Sequence, residues 1–217
     1  MYRLLIVCAG GFGREVLLYA KEIRNRGENF DIGGFLDRDR AALNGFDVDT
    51  PIVGDESSWP IAENDRFVIA TGNPELRGRL YDALIARGAK FTNIIHPLSW
   101  IAPSAILGNG IIAAPFATIN ADAKLEDNVA INSHVGIGHD TRIGRHSAIS
   151  PFTVVAGAAV VGEKVFIGSS CVIAPKKTVG RQATIAAGSV VHKNVPDNAF
   201  ATGNPATIHR NWRKPDK

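Results

Sequence analysis

From Ile101 onward, an aliphatic residue recurs at every sixth position of the chain. This period predicts neither a helix, whose apolar residues are three and four apart, nor a half-buried strand, whose apolar residues alternate over a few positions. It favours a solenoid in which each hexad is a short strand plus a turn, and in which three hexads complete one coil. The aliphatic positions are Ile101, Leu107, Ala113, Ile119, Leu125, Ile131, Ile137, Ile143, Ile149, Val155, Val161, Ile167, Ile173, Val179, Ile185 and Val191.

Two further positions of the hexad hold small residues. The fifth residue is small or β-branched in nearly every hexad, as at Ala123, Val135 and Cys171, and is predicted to share the interior with the aliphatic residue. Glycine often follows the aliphatic residue directly, as at Gly138 and Gly144. We expect these glycines to take turn conformations that other residues avoid. Stacked coils would then bury a continuous core that no single coil could bury alone.

Before the repeat, the pattern changes to apolar strands that alternate with amphipathic helices. This alternation predicts a small Rossmann-like parallel sheet, with ligands bound at the carboxyl ends of its strands. The chain is therefore divided into an α/β domain over 1–97 and a β-helix over 98–217, which includes the C-terminal tail. Strands are predicted over 3–8, 32–36, 67–71 and 91–95, and helices over 14–26 and 75–87.

Candidate ligand contacts follow the first two predicted strands. Gly10, Gly11 and Gly13 open the first helix, where glycine lets the backbone approach a phosphate and the helix N-terminus offers free N–H groups. Asp37 closes the second strand, where a carboxylate can accept hydrogen bonds from a ribose or a base, or can cap a turn. A nucleotide site is favoured over a ligand-free turn because several loops converge at one edge. An NAD-dependent dehydrogenase is disfavoured by the short sheet and by the repeat that follows it.

His139 is the candidate for a catalytic base. Because residues 18 apart stack on neighbouring coils, His139 would lie between Ala121 and Gly157, both small, and its place in the hexad faces outward. Asp140 could orient the imidazole or raise its basicity, and a solvated surface pair is the alternative. Acyl transfer to an amine needs such a base, together with donors for the developing oxyanion.

Composition and charge narrow the function classes further. The net charge is +3 and the basic residues are scattered, apart from the segment 209–214, so nucleic-acid binding is not indicated. Cys8 and Cys171 lie inside apolar runs, as expected of reduced thiols in a cytosolic protein. No apolar run approaches the roughly 20 residues of a membrane span. We therefore expect a cytoplasmic protein with neither a nucleic-acid nor a membrane partner.

A set of short motifs occurs in order along nearly the whole chain. After the glycine turn they are Phe35–Asp37, Ala70–Asn73 with Arg77, Ile94–Pro97, Ile101–Ala105, Ile131–Asn132, His139–Gly144 and Gly203–Ala206. Taken together, these motifs resemble the hexapeptide-repeat sugar O/N-acyltransferases of the bacterial sialic-acid, bacillosamine and perosamine pathways.

The resemblance implies a left-handed β-helix and a homotrimer with active sites between subunits. Acetyl-CoA would lie along the β-helix, and the acceptor would be the 4-amino group of a nucleotide-linked sugar used in surface-glycan synthesis. His139 would be the general base and Asp140 its orienter, without a metal ion. The implied nucleotide-sugar contacts are Gly10, Gly11, Gly13, Asp37, Arg38, Gly72, Asn73, Arg77 and Asn132. Backbone around Gly157, Ser169 and Ala187 would hold the acetyl-CoA.

Three residues depart from the pattern of that family. Cys8 and Phe12 replace a commonly seen glycine and histidine of the first loop, which leaves the base and phosphate contacts there open. Ala148 stands where one relative has a second histidine near the thioester. This departure argues against a two-histidine site but leaves the single-base mechanism intact.

Two alternatives keep the β-helix and change the chemistry. O-acetylation of a sugar such as sialic acid needs the same base and is not separated from N-acetylation by the sequence, which also does not identify the nucleotide or the sugar. A zinc site of the γ-class carbonic anhydrase type would use the five-residue spacing of His134 and His139. Its third ligand would be expected at Leu98 or Pro103, which cannot bind zinc.

Overall fold

A four-stranded parallel sheet, sheet A, forms the N-terminal part of the computed structural model, which describes residues 1–209. Its strands are β1 (Tyr2–Val7), β2 (Phe30–Leu36), β3 (Ile52–Gly54) and β4 (Asp65–Ile69), with α1 (Gly11–Asn25) after β1 and α2 (Pro74–Ile85) after β4. The strand order is β3-β2-β1-β4, so the connections change direction between β1 and β4. In open α/β sheets, ligands bind at the carboxyl ends of the strands beside such a switch point.

The two helices cover opposite faces of sheet A. Alternation along β1 sends Leu4 and Ile6 to one face and Leu5 and Val7 to the other, and all four side chains are fully buried. A strand buried on both faces has a continuous apolar sequence, as β1 does. Helix α1 packs on the first face through Val16, Leu17 and Ala20, and α2 packs on the second through Leu80, Tyr81 and Leu84.

The rest of the described chain is a β-helix built from strands of two or three residues. The strands are β5 (Ile94–Ile95), β6 (Trp100–Ile101), β7 (Ile106–Leu107), β8 (Ile112–Ala113), β9 (Thr118–Ile119), β10 (Lys124–Leu125), β11 (Ala130–Ile131), β12 (Gly136–Ile137), β13 (Arg142–Ile143), β14 (Ala148–Ile149), β15 (Val154–Val155), β16 (Val160–Val161), β17 (Phe166–Ile167), β18 (Val172–Ile173), β19 (Thr178–Val179), β20 (Thr184–Ile185), β21 (Val190–Val191), β22 (Phe200–Thr202) and β23 (Thr207–His209).

These strands form three sheets, one along each side of the β-helix. Sheet B contains β5, β8, β11, β14, β17, β20, β22 and the antiparallel β23; sheet C contains β6, β9, β12, β15, β18 and β21; sheet D contains β7, β10, β13, β16 and β19. Partners on neighbouring coils are 18 residues apart, as in the pairs Lys124–Arg142 and Ile137–Val155. Three hexads therefore complete a coil, and the predicted combination of an α/β domain and a β-helix is confirmed. The handedness stays an implication of the resemblance.

The glycines that follow the aliphatic residues have a different role from the one predicted. A left-handed φ occurs two positions later, for example at Asp140 (φ 57°) and His146 (φ 64°), and not at these glycines. A Cβ at Gly138 would lie 2.5 Å from the backbone nitrogen of Gly157 on the next coil. The expectation of a special turn conformation is therefore wrong at these positions, because glycine is needed there for the close stacking of coils.

The α/β domain packs against sheet B of the β-helix. Ile94 and Ile112 belong to the same apolar cluster as Leu4 and Val16, so one core runs from sheet A into the first coils. The solenoid strands begin at Ile94, and the division at residue 97 stays a prediction. Within residues 1–209, no helix is long and apolar enough to cross a membrane. Residues 210–214 of the basic segment lie outside the described part of the chain.

Candidate active site

His139 lies at the corner between sheets C and D, on the turn that joins β12 to β13. Its side chain is 69% exposed, and Nδ1 is 2.7 Å from Oδ2 of Asp140. Because a carboxylate only accepts hydrogen bonds, this contact places the proton of a neutral imidazole on Nδ1. Nε2 is then the basic nitrogen. The geometry is that of an oriented imidazole whose free nitrogen can accept a proton.

Gly157 forms the notch in which the imidazole of His139 lies. A Cβ at position 157 would be 2.5 Å from Nε2 of His139 and 2.8 Å from Cε1. Such distances are far below van der Waals contact, so the ring can occupy this position only beside a glycine. The stacking of His139 and Gly157 on adjacent coils therefore determines where the reactive nitrogen lies.

The other two residues predicted to hold acetyl-CoA lie at a different corner of the β-helix. Ser169 and Ala187 are on turns between sheets B and C, and Asn132 is on another turn of the same corner. His139 and this corner therefore lie on opposite edges of sheet C. Within one copy of the chain, the structure brings Gly157 to His139 but does not bring Ser169, Ala187 or Asn132 there.

Exposed apolar side chains lie on sheet C and at its corner with sheet B. At the corner between sheets B and C, the ring of His134 lies between Phe116 and Phe152, with a centroid distance of 4.8 Å to each. Both phenylalanines are more than half exposed. A contiguous exposed apolar surface is typical of an interaction site. The exposed apolar side chains of sheet C next to this ladder are Trp100, Val154 and Val172.

A cavity of about 380 Å³ lies at the carboxyl edge of sheet A. Of the predicted nucleotide contacts, it includes Asp37 and Arg38 in its wall. Glu56, which follows β3, is not among the residues predicted from the sequence, although the rule that polar residues after parallel strands share an edge points to it. One face of α2 also lines the cavity without having been predicted. The remaining lining residues are Cys8, Leu76, Arg79, Leu80 and Ala83.

Asp37 orders the glycine turn beside this cavity. Its Oδ2 accepts a hydrogen bond from the backbone N–H of Ala9 at 2.8 Å, and its Oδ1 accepts one from Asp39 at 2.9 Å. Gly10 is the N-cap of α1 and Gly11 is its first residue; both have open space around them, and first-turn N–H groups are available to an anion. Gly13 has a packing role instead, because a Cβ there would overlap the carbonyl of Cys8.

The loop after β4 contains two more of the predicted contacts. Gly72 is exposed. Asn73 caps α2, since its Oδ1 accepts hydrogen bonds from the backbone N–H groups of Glu75 at 3.0 Å and Leu76 at 3.1 Å. The Asn73 side chain therefore satisfies the start of the helix and holds the loop at the switch point.

Arg77 is fully buried, which differs from the position expected of a nucleotide contact. Nη1 donates to the carbonyls of Ile69 at 2.6 Å and Thr71 at 3.0 Å, and Nη2 donates to the carbonyl and side-chain oxygens of Asn128. Burial lowers the pKa of Arg77 to about 9. All four of these hydrogen-bond acceptors are carbonyl oxygens of the protein. Its geometry supports a tether between α2, the end of β4 and the β-helix rather than contact with a ligand.

His146 extends this buried network. Its Nδ1 accepts a hydrogen bond of 3.0 Å from Nδ2 of Asn128, and its ring lies 5.3 Å from that of Tyr81 on α2. Burial, reinforced by the positive charge of Arg145, lowers the pKa of His146 to about 4. His146 is therefore neutral near pH 7 and belongs to the domain junction.

Comparison with known proteins places the chain in a family. Residues 3–84 match the PglD N-terminal domain, and residues 122–157 match the bacterial transferase hexapeptide of six repeats. The acetyltransferase domain of PglB from Neisseria gonorrhoeae is 30% identical, with 95% of this chain and 99% of that chain covered and a TM-score of 0.85. The chain belongs to the hexapeptide-repeat sugar acyltransferase family.

Other similar structures of this acyltransferase family contain ligands. PerB from Caulobacter crescentus, in complex with CoA and GDP-perosamine, is 31% identical over 96% of this chain and 98% of that chain, with a TM-score of 0.85. The bifunctional protein GlmU of Synechococcus elongatus is 51% identical over 39 residues. That match covers 18% of this chain, and the chain spans about 9% of the length of this curated relative.

The departures from the acyltransferase family pattern have identifiable structural settings. Cys8 has a φ of 76°, which explains why a glycine is common there. Burial, with the nearby charges of Asp37 and Glu56, raises the pKa of the Cys8 thiol to about 12, so the thiol is neutral. Phe12 packs partly against the core of sheet A, and Ala148 is buried on sheet B.

The part of the chain that the structure describes contains no assembled set of ligands for the zinc alternative. His134 and His139 lie at opposite edges of sheet C, so their five-residue spacing does not bring the two rings together within one copy of the chain. Among residues 1–209, no cluster of three histidine, cysteine or acidic side chains has the geometry of a metal site.

Proposed function

We propose that this acyltransferase moves an acetyl group from acetyl-CoA to the 4-amino group of a nucleotide-linked sugar, with His139 as the general base. The observation that carries the proposal is the contact between His139 and Asp140. It leaves Nε2 as the basic nitrogen of a side chain that is 69% exposed and that lies beside the small Gly157. A general base must reach the proton that it removes, and an exposed nitrogen on a rigid coil meets that condition.

The proposed reaction requires one proton to pass through His139. The amine nitrogen forms a bond to the thioester carbonyl carbon while Nε2 accepts the amine proton. Asp140, hydrogen-bonded to Nδ1, stabilises the imidazolium that results. The carbon–sulfur bond then breaks, and the imidazolium returns the proton to the departing sulfur. The products are an N-acetyl sugar and CoA with a free thiol, so atoms and charge balance.

The relatives and the α/β domain both support the choice of acceptor. PerB was solved with CoA and GDP-perosamine, an amino sugar on a nucleoside diphosphate. The cavity at the carboxyl edge of sheet A lies beside the exposed start of α1, where a diphosphate would meet free N–H groups. Gly10, Gly11, Asp37, Arg38 and Gly72 remain the proposed nucleotide-sugar contacts. Asn73, Arg77 and Gly13 would act by positioning them.

A homotrimer is part of the proposal because one copy leaves the acyl site incomplete. His139 and Gly157 lie at one edge of the exposed apolar sheet C, and Asn132, Ser169 and Ala187 lie at the other edge. If neighbouring copies associate through this face in a closed ring, the His139 edge of one copy meets the opposite edge of the next. Acetyl-CoA would then lie between two subunits.

Thiol release from acetyl-CoA tests the proposed function. The acceptors are UDP-, GDP- and dTDP-linked 4-amino sugars, with sialic acid as the hydroxyl acceptor. We expect turnover with an amino sugar, and a fall in kcat of about 10²–10⁴-fold in the His139→Ala variant. His209→Ala, which removes an exposed histidine from the far end of the β-helix, is the control and keeps wild-type turnover.

Three results contradict the proposal in different ways. Release with sialic acid alone would assign O-acetylation, in which the same base serves a hydroxyl. Release in the His139→Ala variant within about threefold of wild type would remove His139 from the mechanism, since a general base contributes at least 10²-fold. Absence of thiol release with every acceptor would exclude acetyl transfer to this class of sugar.

A further inference from the structure

Glu56 places a nearly buried carboxylate in the wall of the sheet A cavity. Its side chain is 9% exposed, and it lies two residues beyond β3. Oε1 accepts a hydrogen bond from Nε of Arg38 at 2.9 Å. Within residues 1–209, Oε2 receives no hydrogen bond from the protein. Because the side chain lines the cavity and Oε2 is not a fully buried atom, Oε2 can accept a hydrogen bond from a ligand in the cavity.

The other charged groups of the cavity differ from Glu56 in how they are engaged. Both oxygens of Asp37 already accept backbone hydrogen bonds, one from Ala9 in the glycine turn and one from Asp39 in the loop after β2. Arg79 is exposed on α2 and has no carboxylate partner among the described residues. Arg38 is 70% exposed and holds Glu56 from the solvent side. Glu56 therefore presents an available acceptor edge in the wall of the cavity.

An acceptor edge of this kind discriminates among nucleotide bases. A carboxylate only accepts hydrogen bonds, so it pairs best with two adjacent donors. Guanine presents such a pair, its ring N1–H and its exocyclic amino group. Uracil and thymine present one N–H between two carbonyl oxygens, and those oxygens would face the carboxylate with like charge. Adenine presents its amino group beside a ring acceptor.

We propose that the sheet A cavity binds the guanine base of a guanosine-diphosphate-linked sugar, and that Glu56 is its specificity-determining residue. This inference rests on the proposed function, because it assumes that the α/β domain binds a nucleotide sugar. The cavity volume of about 380 Å³ is within the range of small-molecule sites, and Leu76 and Leu80 supply an apolar wall for a planar base. The diphosphate then reaches Gly10 and Gly11 at the start of α1.

Calorimetric binding of free nucleotides to the whole chain tests the inference. The probes are GDP, UDP, dTDP and inosine diphosphate, which differs from GDP only in lacking the exocyclic amino group. We expect GDP to bind about 100-fold more tightly than UDP or dTDP, and about 10–100-fold more tightly than inosine diphosphate. Inosine diphosphate removes one donor without any change in the protein, so the comparison does not depend on a variant that folds.

The Glu56→Gln variant tests whether Glu56 causes the preference for GDP over the other nucleotides. Its amide oxygen can still accept the hydrogen bond from Arg38, while its amide nitrogen replaces the free acceptor with a donor. We expect GDP affinity to fall at least 30-fold, and the preference for GDP over inosine diphosphate to fall below about threefold. Glu28→Gln, at an exposed position before β2, is the matched control and keeps wild-type affinities for all four nucleotides.

Binding of UDP or dTDP as tight as that of GDP would overturn the inference, as would failure of all four nucleotides to bind. Equal preference for GDP over inosine diphosphate in wild type and Glu56→Gln would remove Glu56 as its cause. These measurements do not involve acetyl transfer. Tight GDP binding without thiol release would contradict the proposed function and leave the guanine site intact, so the two failures are distinguishable.

Discussion

Arg77 and Asn128 bind each other across the junction between the α/β domain and the β-helix. Nη2 of Arg77 donates to the carbonyl oxygen of Asn128 at 2.9 Å and to its Oδ1 at 2.8 Å, and Nδ2 of Asn128 donates back to the Arg77 carbonyl at 3.1 Å. Asn128 occupies a coil corner with a φ of 57°, a conformation that asparagine tolerates better than most residues. The reciprocal contact links the switch-point helix to one corner of the solenoid.

Replacing Arg77 by methionine tests this tether. We expect the variant to lose about 2–4 kcal/mol of stability, because several buried carbonyls lose their donor at once. Arg79→Met, two residues along the same helix but exposed, is the control and changes stability by less than about 0.5 kcal/mol. Denaturant unfolding of both variants measures the difference. Equal stability of the two variants would show that the buried guanidinium contributes nothing net.

The β-helix could be predicted from the sequence because its register is periodic. Once three hexads make a coil, the neighbours of His139 on adjacent coils follow from addition and subtraction of 18, and Gly157 is found beside its ring. The same arithmetic separates Ser169 and Ala187 from His139, because neither is a multiple of 18 residues away from it, and the structure has them across sheet C. What the arithmetic does not reveal is how these corners meet those of another subunit.

The cavity and the domain junction depend on contacts that have no period. Arg77 lies beside pocket-lining residues on α2, but its side chain turns inward to a corner 51 positions later in the chain. Glu56 reaches the cavity because β3 is parallel to β2, and a strand of three residues leaves almost no pattern to detect. The placement of Arg77 results from the packing of the two domains, and that of Glu56 from the pairing of β3 with β2. A local pattern determines neither.

His146 predicts a specific dependence of stability on pH. Its folded pKa of about 4 lies below the ordinary value, so its contribution is fully present above about pH 6.5 and is lost as the pH falls towards 4. Burial is the main cause; Arg145, Lys164 and Arg77 act in the same direction, and Asp82 opposes them. At pH 5, we expect wild type to have lost about 2 kcal/mol through this histidine relative to pH 7.5.

The His146→Gln variant isolates that contribution. Glutamine is neutral at both pH values, so the difference in unfolding free energy between wild type and variant should shrink by about 2 kcal/mol from pH 7.5 to pH 5. Denaturant melts of both proteins at the two pH values give the comparison, and His209→Ala, at an exposed position, is the control. A wild-type-to-variant difference that does not change with pH would mean that His146 titrates normally in the folded protein.

At position 8 we expect the glycine variant to be more stable than the alanine variant, which is the reverse of the usual order. At most positions, alanine is more stable than glycine by about 0.5–1 kcal/mol, because glycine loses more backbone freedom on folding. At a φ of 76° a Cβ is strained, so Cys8→Gly should be more stable than Cys8→Ala by about 1 kcal/mol. Thermal unfolding of the two variants measures this difference.

The second cysteine provides the matched control for that reversal. Cys171 is buried inside the β-helix and does not have a left-handed φ. Cys171→Ala should therefore be more stable than Cys171→Gly, by about 1 kcal/mol or more, in the usual order. The same order at both cysteines would show that the backbone at Cys8 is not strained.

Gly157 predicts a loss of activity without a comparable loss of stability. An added Cβ would meet the His139 ring at 2.5 Å, and because the ring is exposed it can rotate away at little cost to the fold. Displacement of the reactive nitrogen by about 1 Å should lower kcat about 10–100-fold in Gly157→Ala, while the melting temperature stays within a few degrees of wild type.

A double-mutant cycle with His139→Ala tests whether this loss of activity arises from displacement of the His139 ring. Once the imidazole is absent, the added methyl group should cost no further activity, since the two substitutions act on the same ring. An equal loss from Gly157→Ala with and without His139 would mean that the methyl group obstructs acetyl-CoA rather than the base.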